Sequence, residues 1–370
     1  MRLLFPLAVL AFADPVPAFA EDEKKKYDAR RVAGLLAQLA DRHFPTREAA
    51  EQELIAAGEP ALPAVREAVR TSTVPEVTYR GERVIRRILL ACRTSKATGM
   101  EFTLLEPDEF DMGSPPNEGG RRADEKKHTV RITRPFVIGR YEVTQAEYKK
   151  VTDANPSYFS ASGGGKAKVE NKNPDRFPVE QVSWYDAVAF CNKLSKAEGY
   201  PAYYELTDAK TEGEGIASAG VKVLGGTGYR LPTEAEWEFA ARGTTTTAFS
   251  FGGWPAANSG NFKMIVSVGY GGSEEKPSLG RTGTVGSYKP NKAGMYDVHG
   301  NAAEWCHDWY AKDYPDPSPD DPAGPDKGDH RVVRGGSWMV FDSSCRSAAR
   351  FYLAPGERKD YVGFRVARTP

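Results

Sequence analysis

Apolar and polar positions follow two different patterns along the chain, and the change falls near residue 97. Before that point, apolar residues recur at the i, i+3, i+4, i+7 spacing of one buried helical face, as at Val32, Leu35, Leu36 and Leu39. Similar stripes follow within 50–57, 62–69 and 84–92. The segment 21–97 therefore predicts four short amphipathic helices, the last of which carries Cys92 as a buried thiol.

Local signals place the ends of the second of these helices. Thr46 is the expected N-cap, and Gly58 is expected to end the helix in a left-handed conformation. The stretch 47–69 resembles HEAT-like helical repeats. Because a solenoid usually needs three or more repeats, two helical hairpins favour a small cap or spacer over a binding solenoid.

From about Met100 onward, short apolar runs alternate with long loops rich in glycine and proline. Three helices are predicted there, each opening with a capping box in which the N3 carboxylate reaches back to the N-cap amide. Their N-cap and N3 residues are Thr144 and Glu147, Ser183 and Asp186, and Thr233 and Glu236. Gly199 and Gly243 are the expected stops of the second and third helices. The pattern predicts a loop-rich α+β domain, stabilised by bound cations or buried tryptophans.

The first twenty residues match a secretory signal peptide. Arg2 precedes an apolar run, and Ala18-Phe19-Ala20 has the small-x-small pattern of a cleavage site. Asp14 and Pro15 interrupt the run well before the roughly twenty residues that a membrane span requires. We therefore expect cleavage after Ala20 and a secreted or periplasmic protein without a membrane span. The predicted organisation is 1–20 signal peptide, 21–97 helical segment and 98–370 α+β domain.

Composition narrows the possible functions. The 50 Lys and Arg residues balance 50 Asp and Glu residues, so no broad basic surface is expected and nucleic acid is not an expected partner. The charged fraction of 27% and the hydrophobic fraction of 40% are those of an ordinary soluble globular protein. Four cysteines in 370 residues are too few for a disulfide scaffold.

Seven motifs appear in a fixed order after residue 100. They are FDMGS at 110–114, PFVIGRYEVTQAEY at 135–148, FPVEQVSWYDAVAFCNKLS at 177–195, YRLPTEAEWEFAARG at 229–243, GMYDVHGNAAEW at 294–305, RVVRGGSW at 331–338 and GFRVA at 363–367. Over residues 100–369 the chain resembles the formylglycine-generating enzyme, or sulfatase-modifying factor, family. The resemblance implies an irregular C-type-lectin-like fold and oxidation of a sulfatase cysteine to formylglycine with copper and oxygen.

The same resemblance implies where copper would bind. The oxidases hold Cu(I) between two cysteines five residues apart, just after the Gly-Gly-Ser motif that here contains Ser337. Counting forward, those positions are Val340 and Cys345; counting backward from 348–350, neither cysteine is present. Valine cannot replace a thiolate, and two soft thiolates suit Cu(I). We therefore expect no copper site, with Cys345 and Ser337 catalytic only if activity survives.

Calcium is the metal that the resemblance favours. The segment matching the oxidases' calcium loop implies the carboxylates of Asp297 and Glu304 and the carbonyls of Gly300 and Ala302 as ligands. A second family site would use Asn261 and the Phe262 carbonyl, but no aspartate occurs between 262 and 296 to complete it.

Two function classes stay open at this point. One is a binding or accessory module for a peptide, a sulfatase or a glycan, and the other is an active formylglycine-generating oxidase. The family's groove also places Cys306 and Cys345 on neighbouring segments, which predicts a disulfide between them in an exported protein, with a free Cys345 as the alternative.

Overall fold

The computed structural model describes residues 28–91, 93–256, 258–268 and 272–370. The signal-peptide prediction for 1–20 and the prediction for Cys92 lie outside these residues. The described chain divides into two compact units, one ending at Ile88 and the other spanning Leu89–Pro370. Within the described residues, no helix has both the length and the apolarity that crossing a membrane requires.

The first unit is helical. From residue 28 onward, its α-helices are α1 (Ala29–Gln38), α2 (Phe44–Ala57), α3 (Leu62–Thr71) and α4 (Pro75–Ala91), the last of which continues three residues past Ile88. Gly58 ends α2, as predicted, but its φ of 67° and ψ of −151° are not the left-handed helical conformation that was expected. The predicted N-cap Thr46 is wrong: α2 begins at Phe44, because Pro45 fits the first helical turn, where its missing N–H costs nothing.

The second unit has the predicted α+β composition. Its three α-helices are α5 (Gln145–Thr152), α6 (Trp184–Ala197) and α7 (Glu234–Arg242). All three predicted capping boxes are formed, with both reciprocal hydrogen bonds present in each. Gly243 caps α7 in the left-handed conformation, and Gly199, with a φ of 77°, follows the end of α6.

The strands of this unit are short and pair into small sheets. They are β1 (Phe102–Leu105), β2 (Asp108–Met112), β3 (His128–Ile132), β4 (Phe136–Gly139), β5 (Tyr204–Glu212), β6 (Gly215–Val223), β7 (Met264–Val268), β8 (Gly272–Lys276), β9 (Ala303–Trp309), β10 (Arg331–Arg334), β11 (Phe351–Leu353), β12 (Val362–Gly363) and β13 (Ala367–Arg368). One sheet has the order β1-β4-β13, and another has the order β11-β10-β9-β12. Three hairpins, β2-β3, β5-β6 and β7-β8, complete the described pairings.

Two kinds of buried side chain hold this unit together. Trp184, Trp237 and Trp305 are fully buried, in agreement with the prediction that buried tryptophans stabilise this unit. The second kind, which the sequence did not predict, is a set of fully buried arginines paired with carboxylates. The pairs include Arg334 with Glu238 and Arg346 with Glu125.

Candidate functional site

The turn after β10 brings the predicted catalytic positions together. Gly335 and Gly336 both have positive φ values, 87° and 68°. A Cβ on Gly335 would lie 3.2 Å from the Trp237 ring of α7. A Cβ on Gly336 would lie 2.5 Å from the Cys345 Sγ atom, so only glycine fits there. Val340 packs against the cluster that contains Cys345, Phe249 and Phe262.

The Cys345 thiol is buried in an environment that favours its protonated form. Its Sγ lies 3.8 Å from the Phe341 carbonyl, to which it donates. Burial raises the pKa of the thiol far above its ordinary value. Because the thiolate is the form that binds metal or attacks a substrate, this environment disfavours both roles.

Ser337 and Val340 line a small cavity of about 90 Å³ that also includes Tyr352 and Tyr361. The Ser337 hydroxyl is buried and accepts the Met339 amide at 3.3 Å. The contact stabilises the local turn. Val340 contributes an apolar, partly buried side chain to the cluster around Cys345 and to the wall of this cavity.

His299 supports this region without titrating near neutral pH. Its Nδ1 donates to the Cys345 carbonyl at 2.7 Å, and its Nε2 accepts the Ser250 amide at 3.0 Å. Burial lowers the pKa of His299 to about 4, so the ring is neutral. His307 lies elsewhere, with its Nδ1 3.0 Å from the Tyr204 hydroxyl.

The three described cysteines, Cys191, Cys306 and Cys345, are free and buried. The predicted bridge between Cys306 and Cys345 is therefore wrong. Cys306 packs with Ala235 and Met295 in one apolar cluster, and Cys345 packs with Phe249 in another. The two side chains face different parts of the core, which separates their sulfur atoms.

The predicted calcium loop is a tight turn in which several residues have positive φ. Asp297, Gly300 and Asn301 have φ values of 57°, 95° and 65°. One Asp297 oxygen, Oδ2, accepts the Gly286 amide at 2.6 Å, whereas Oδ1 is buried without a hydrogen-bond partner. An orphaned carboxylate oxygen in a buried loop is a natural ligand for a hard cation.

Glu304 has a different environment from Asp297. Its two oxygens pair with Arg365 at 2.5 Å each, and Oε2 also accepts the Trp237 indole N–H at 2.7 Å. Both carboxylate oxygens of Glu304 therefore have hydrogen-bond partners within the protein. In the described ranges, no three His, Cys, Asp or Glu side chains form a metal centre. The fit to calcium therefore depends on Asp297 and on backbone carbonyls.

Sequence reasoning missed Glu142, which is buried beside this loop. Its oxygens accept the Asn301 side-chain amide and the Ala302 N–H, both at 2.9 Å. Burial, followed by repulsion from Asp297 and Glu304, raises the pKa of Glu142 well above its ordinary value. Burial likewise raises the pKa of Asp297 to about 6. Glu142, Asp297 and Glu304 thus cluster around Arg365, whose positive charge lowers the pKa of Glu142 and of Asp297 but does not offset the effect of burial.

Asn261 and Phe262, the two residues that a second family calcium site would use, both make contacts within the fold. The Asn261 amide nitrogen donates to the Arg281 carbonyl and to Asn301 Oδ1, and its oxygen accepts the Leu279 amide. Phe262 is buried in the cluster around Cys345. The side chain of Asn261 therefore ties together the loops around residues 280 and 300.

Comparison with known proteins shows what the second unit is similar to. Residues 90–370 match the model of the sulfatase-modifying factor enzyme 1-like domain. The chain is 30% identical over 305 residues to a formylglycine-generating enzyme of Streptomyces coelicolor, covering 70% of this chain and 86% of that protein. It is 33% identical over 219 residues to the chaperone protein LppX of Paenibacillus barcinonensis, covering 55% of this chain and 69% of that protein.

Solved structures show the same fold. Treponema denticola variable protein 1 matches with a TM-score of 0.59 and 30% identity, over 75% of this chain and 98% of that one. PvdO from Pseudomonas aeruginosa matches with a TM-score of 0.56 and 27% identity, over 75% of this chain and 97% of that one.

Proposed function

The chain belongs to the family of sulfatase-modifying factor enzyme 1-like domains, and on that basis we propose that it is an exported binding or accessory member without copper oxidase activity. The proposal depends chiefly on Val340, an apolar side chain packed at Cys345 in place of a second thiolate. A single buried, protonated thiol does not reproduce bis-thiolate coordination of Cu(I). The pattern in residues 1–20 supports export, and a relative named as a chaperone supports an accessory role.

Copper titration of the purified protein tests the proposal. We expect no stoichiometric, tight Cu(I) binding under anaerobic conditions and no conversion of a Cys-x-Pro-x-Arg peptide to formylglycine, followed by mass spectrometry. Tight copper binding together with peptide turnover would instead establish the oxidase. Val340→Cys adds a second thiol near Cys345 and should raise Cu(I) affinity if the missing thiolate alone prevents binding. Val130→Cys is its control and should not, since Val130 packs in a different buried cluster and does not line the cavity of Val340.

Calcium is the second part of the proposal, as a structural ion held by Asp297 with the carbonyls of Gly300 and Ala302. The Asp297 oxygen without a hydrogen-bond partner and the clustering of Glu142 and Glu304 with Asp297 support it. Glu304 would contribute through its charge while paired with Arg365.

Thermal unfolding with calcium or with a chelator tests this part. At a hundredfold excess over Kd, a bound ion adds about 2.7 kcal/mol to stability, so chelation should lower Tm. Asp297→Asn should remove the response to calcium. Asp320→Asn, which alters an exposed partner of Arg131, should keep that response. Identical melts of the parent protein with calcium and with chelator would exclude the ion.

A further inference from the structure

A cavity of about 370 Å³ lies between two loops, residues 172–177 and 279–287. The loops are joined by backbone and side-chain hydrogen bonds rather than by a sheet. The Val285 amide donates to the Arg176 carbonyl at 2.9 Å, and the Lys168 ammonium donates to the Gly280 carbonyl at 2.9 Å. The cavity is therefore a built feature of the fold.

Three cationic side chains line this cavity: Lys172, Arg176 and Arg281. None of them forms an ion pair with a carboxylate in the described part of the chain, whereas the fully buried Arg334 and Arg365 do. The cavity also presents the hydroxyl-bearing residues Thr284 and Ser287.

Aromatic rings hold the two arginines in place. The Arg281 guanidinium lies 5.0 Å from the centre of the Phe177 ring and donates to the Thr282 carbonyl at 2.6 Å. The Arg176 guanidinium lies 5.4 Å from the centre of the Tyr141 ring. Partial burial lowers the pKa of Arg281, and the nearby Tyr288 offsets this effect only in part. Arg281 is thus a partly desolvated cation without a carboxylate partner.

We propose that this cavity binds a tetrahedral oxyanion, the phosphate or sulfate group of a small ligand. Two guanidinium groups can each donate a fork of hydrogen bonds to such an anion, and Lys172 adds a third positive charge. A bound oxyanion would supply the negatively charged partner that Arg281 does not find in the described part of the chain. The cavity does not include Val340 or Cys345, so the inference stands whether or not the domain binds copper.

Isothermal titration with inorganic phosphate and, separately, with inorganic sulfate tests the proposal. We expect saturable binding of at least one ion by the parent protein, and the two titrations show which ion is preferred. Arg281→Ala should weaken binding by about tenfold or more, the effect of losing one charge-assisted hydrogen bond. Arg281→Lys should weaken binding less, because it keeps the charge but loses the fork.

A second variant covers the case in which Arg281→Ala fails to fold. Lys172 and Arg176 are exposed, so the double substitution Lys172→Ala/Arg176→Ala should fold and should still abolish most of the binding. Lys150→Ala, on the exposed side of α5, is the matched control and should bind like the parent. No binding of either ion by the parent, or equal binding by the parent and the double variant, would overturn the proposal.

Discussion

Gly336 shows how closely a single residue is constrained beside Cys345. Its φ of 68° is unfavourable for other residues, and an added Cβ would lie 2.5 Å from Cys345 Sγ and 2.8 Å from the Ser344 carbonyl. We expect Gly336→Ala to lower the free energy of unfolding by about 2 kcal/mol or more, from strain and overpacking together. Urea unfolding followed by tryptophan fluorescence measures this, since all six tryptophans lie after residue 97.

Gly199→Ala is the matched control for that substitution. Gly199 has a similar φ of 77°, but an added Cβ there meets no atom within 4 Å. It should therefore cost only the backbone strain, about 1 kcal/mol. Equal losses at both positions would show that contact with the Cys345 sulfur contributes nothing.

Asp308 makes stability depend on pH. Its Oδ2 accepts the Glu234 amide at 2.8 Å, and burial, followed by repulsion from Glu234, raises the pKa of the carboxyl to about 8. The folded state therefore holds a proton that the unfolded state releases near pH 4, so the contribution to stability falls as pH rises from about 4 to about 8. Asp308→Asn keeps the acceptor oxygen without the titration.

Denaturant unfolding of the parent and of Asp308→Asn at pH 5 and pH 8 tests this reasoning. The variant should gain stability relative to the parent on going from pH 5 to pH 8. Relative stability that stays constant, or that falls, would contradict the assignment of the raised pKa to Asp308.

Among the secondary-structure elements, the features that the sequence predicts correctly depend on residues close together in the chain. Capping boxes depend on residues three apart, and all three predicted boxes form as expected. By contrast, β12 pairs in parallel with β9, which lies about 60 residues earlier in the chain. Neither the two residues of β12 nor the seven residues of β9 contain a pattern that specifies this pairing. Glu142 was missed for the same reason: its partners Asn301 and Ala302 lie 159 and 160 residues away.

The capping box of α7 gives a prediction at this scale. The Thr233 side chain accepts the Glu236 amide at 3.1 Å, so Thr233→Ala should lower the free energy of unfolding by about 1 kcal/mol. Thr246→Ala in an exposed loop is the control and should change stability by less than about 0.5 kcal/mol. Urea unfolding of both variants distinguishes the cap from a general effect of losing a hydroxyl group.

At the scale of the whole molecule, the net charge of zero says nothing about how charged side chains are distributed inside the larger unit. The sequence identified the family through its motifs, but composition cannot say which ions are buried. Fully buried Arg334, in β10, forms ion pairs with Glu234 and Glu238 of α7. Arg350 also pairs with Glu234, and Arg242 also pairs with Glu238. This network links strand and helix where the regular hydrogen-bond ladders are short.

Arg334→Met tests whether the network is a structural requirement. Methionine fills part of the space but leaves the buried Glu238 and Glu234 with one cation fewer, so we expect a loss of about 3 kcal/mol or more. Arg131→Met removes an exposed ion pair with Asp320 in the same unit and should cost at most about 1 kcal/mol. Urea unfolding monitored by tryptophan fluorescence measures both variants. Similar small losses would mean that the remaining arginines compensate and that apolar packing around Trp237 and Trp305 holds β10 against α7 without Arg334.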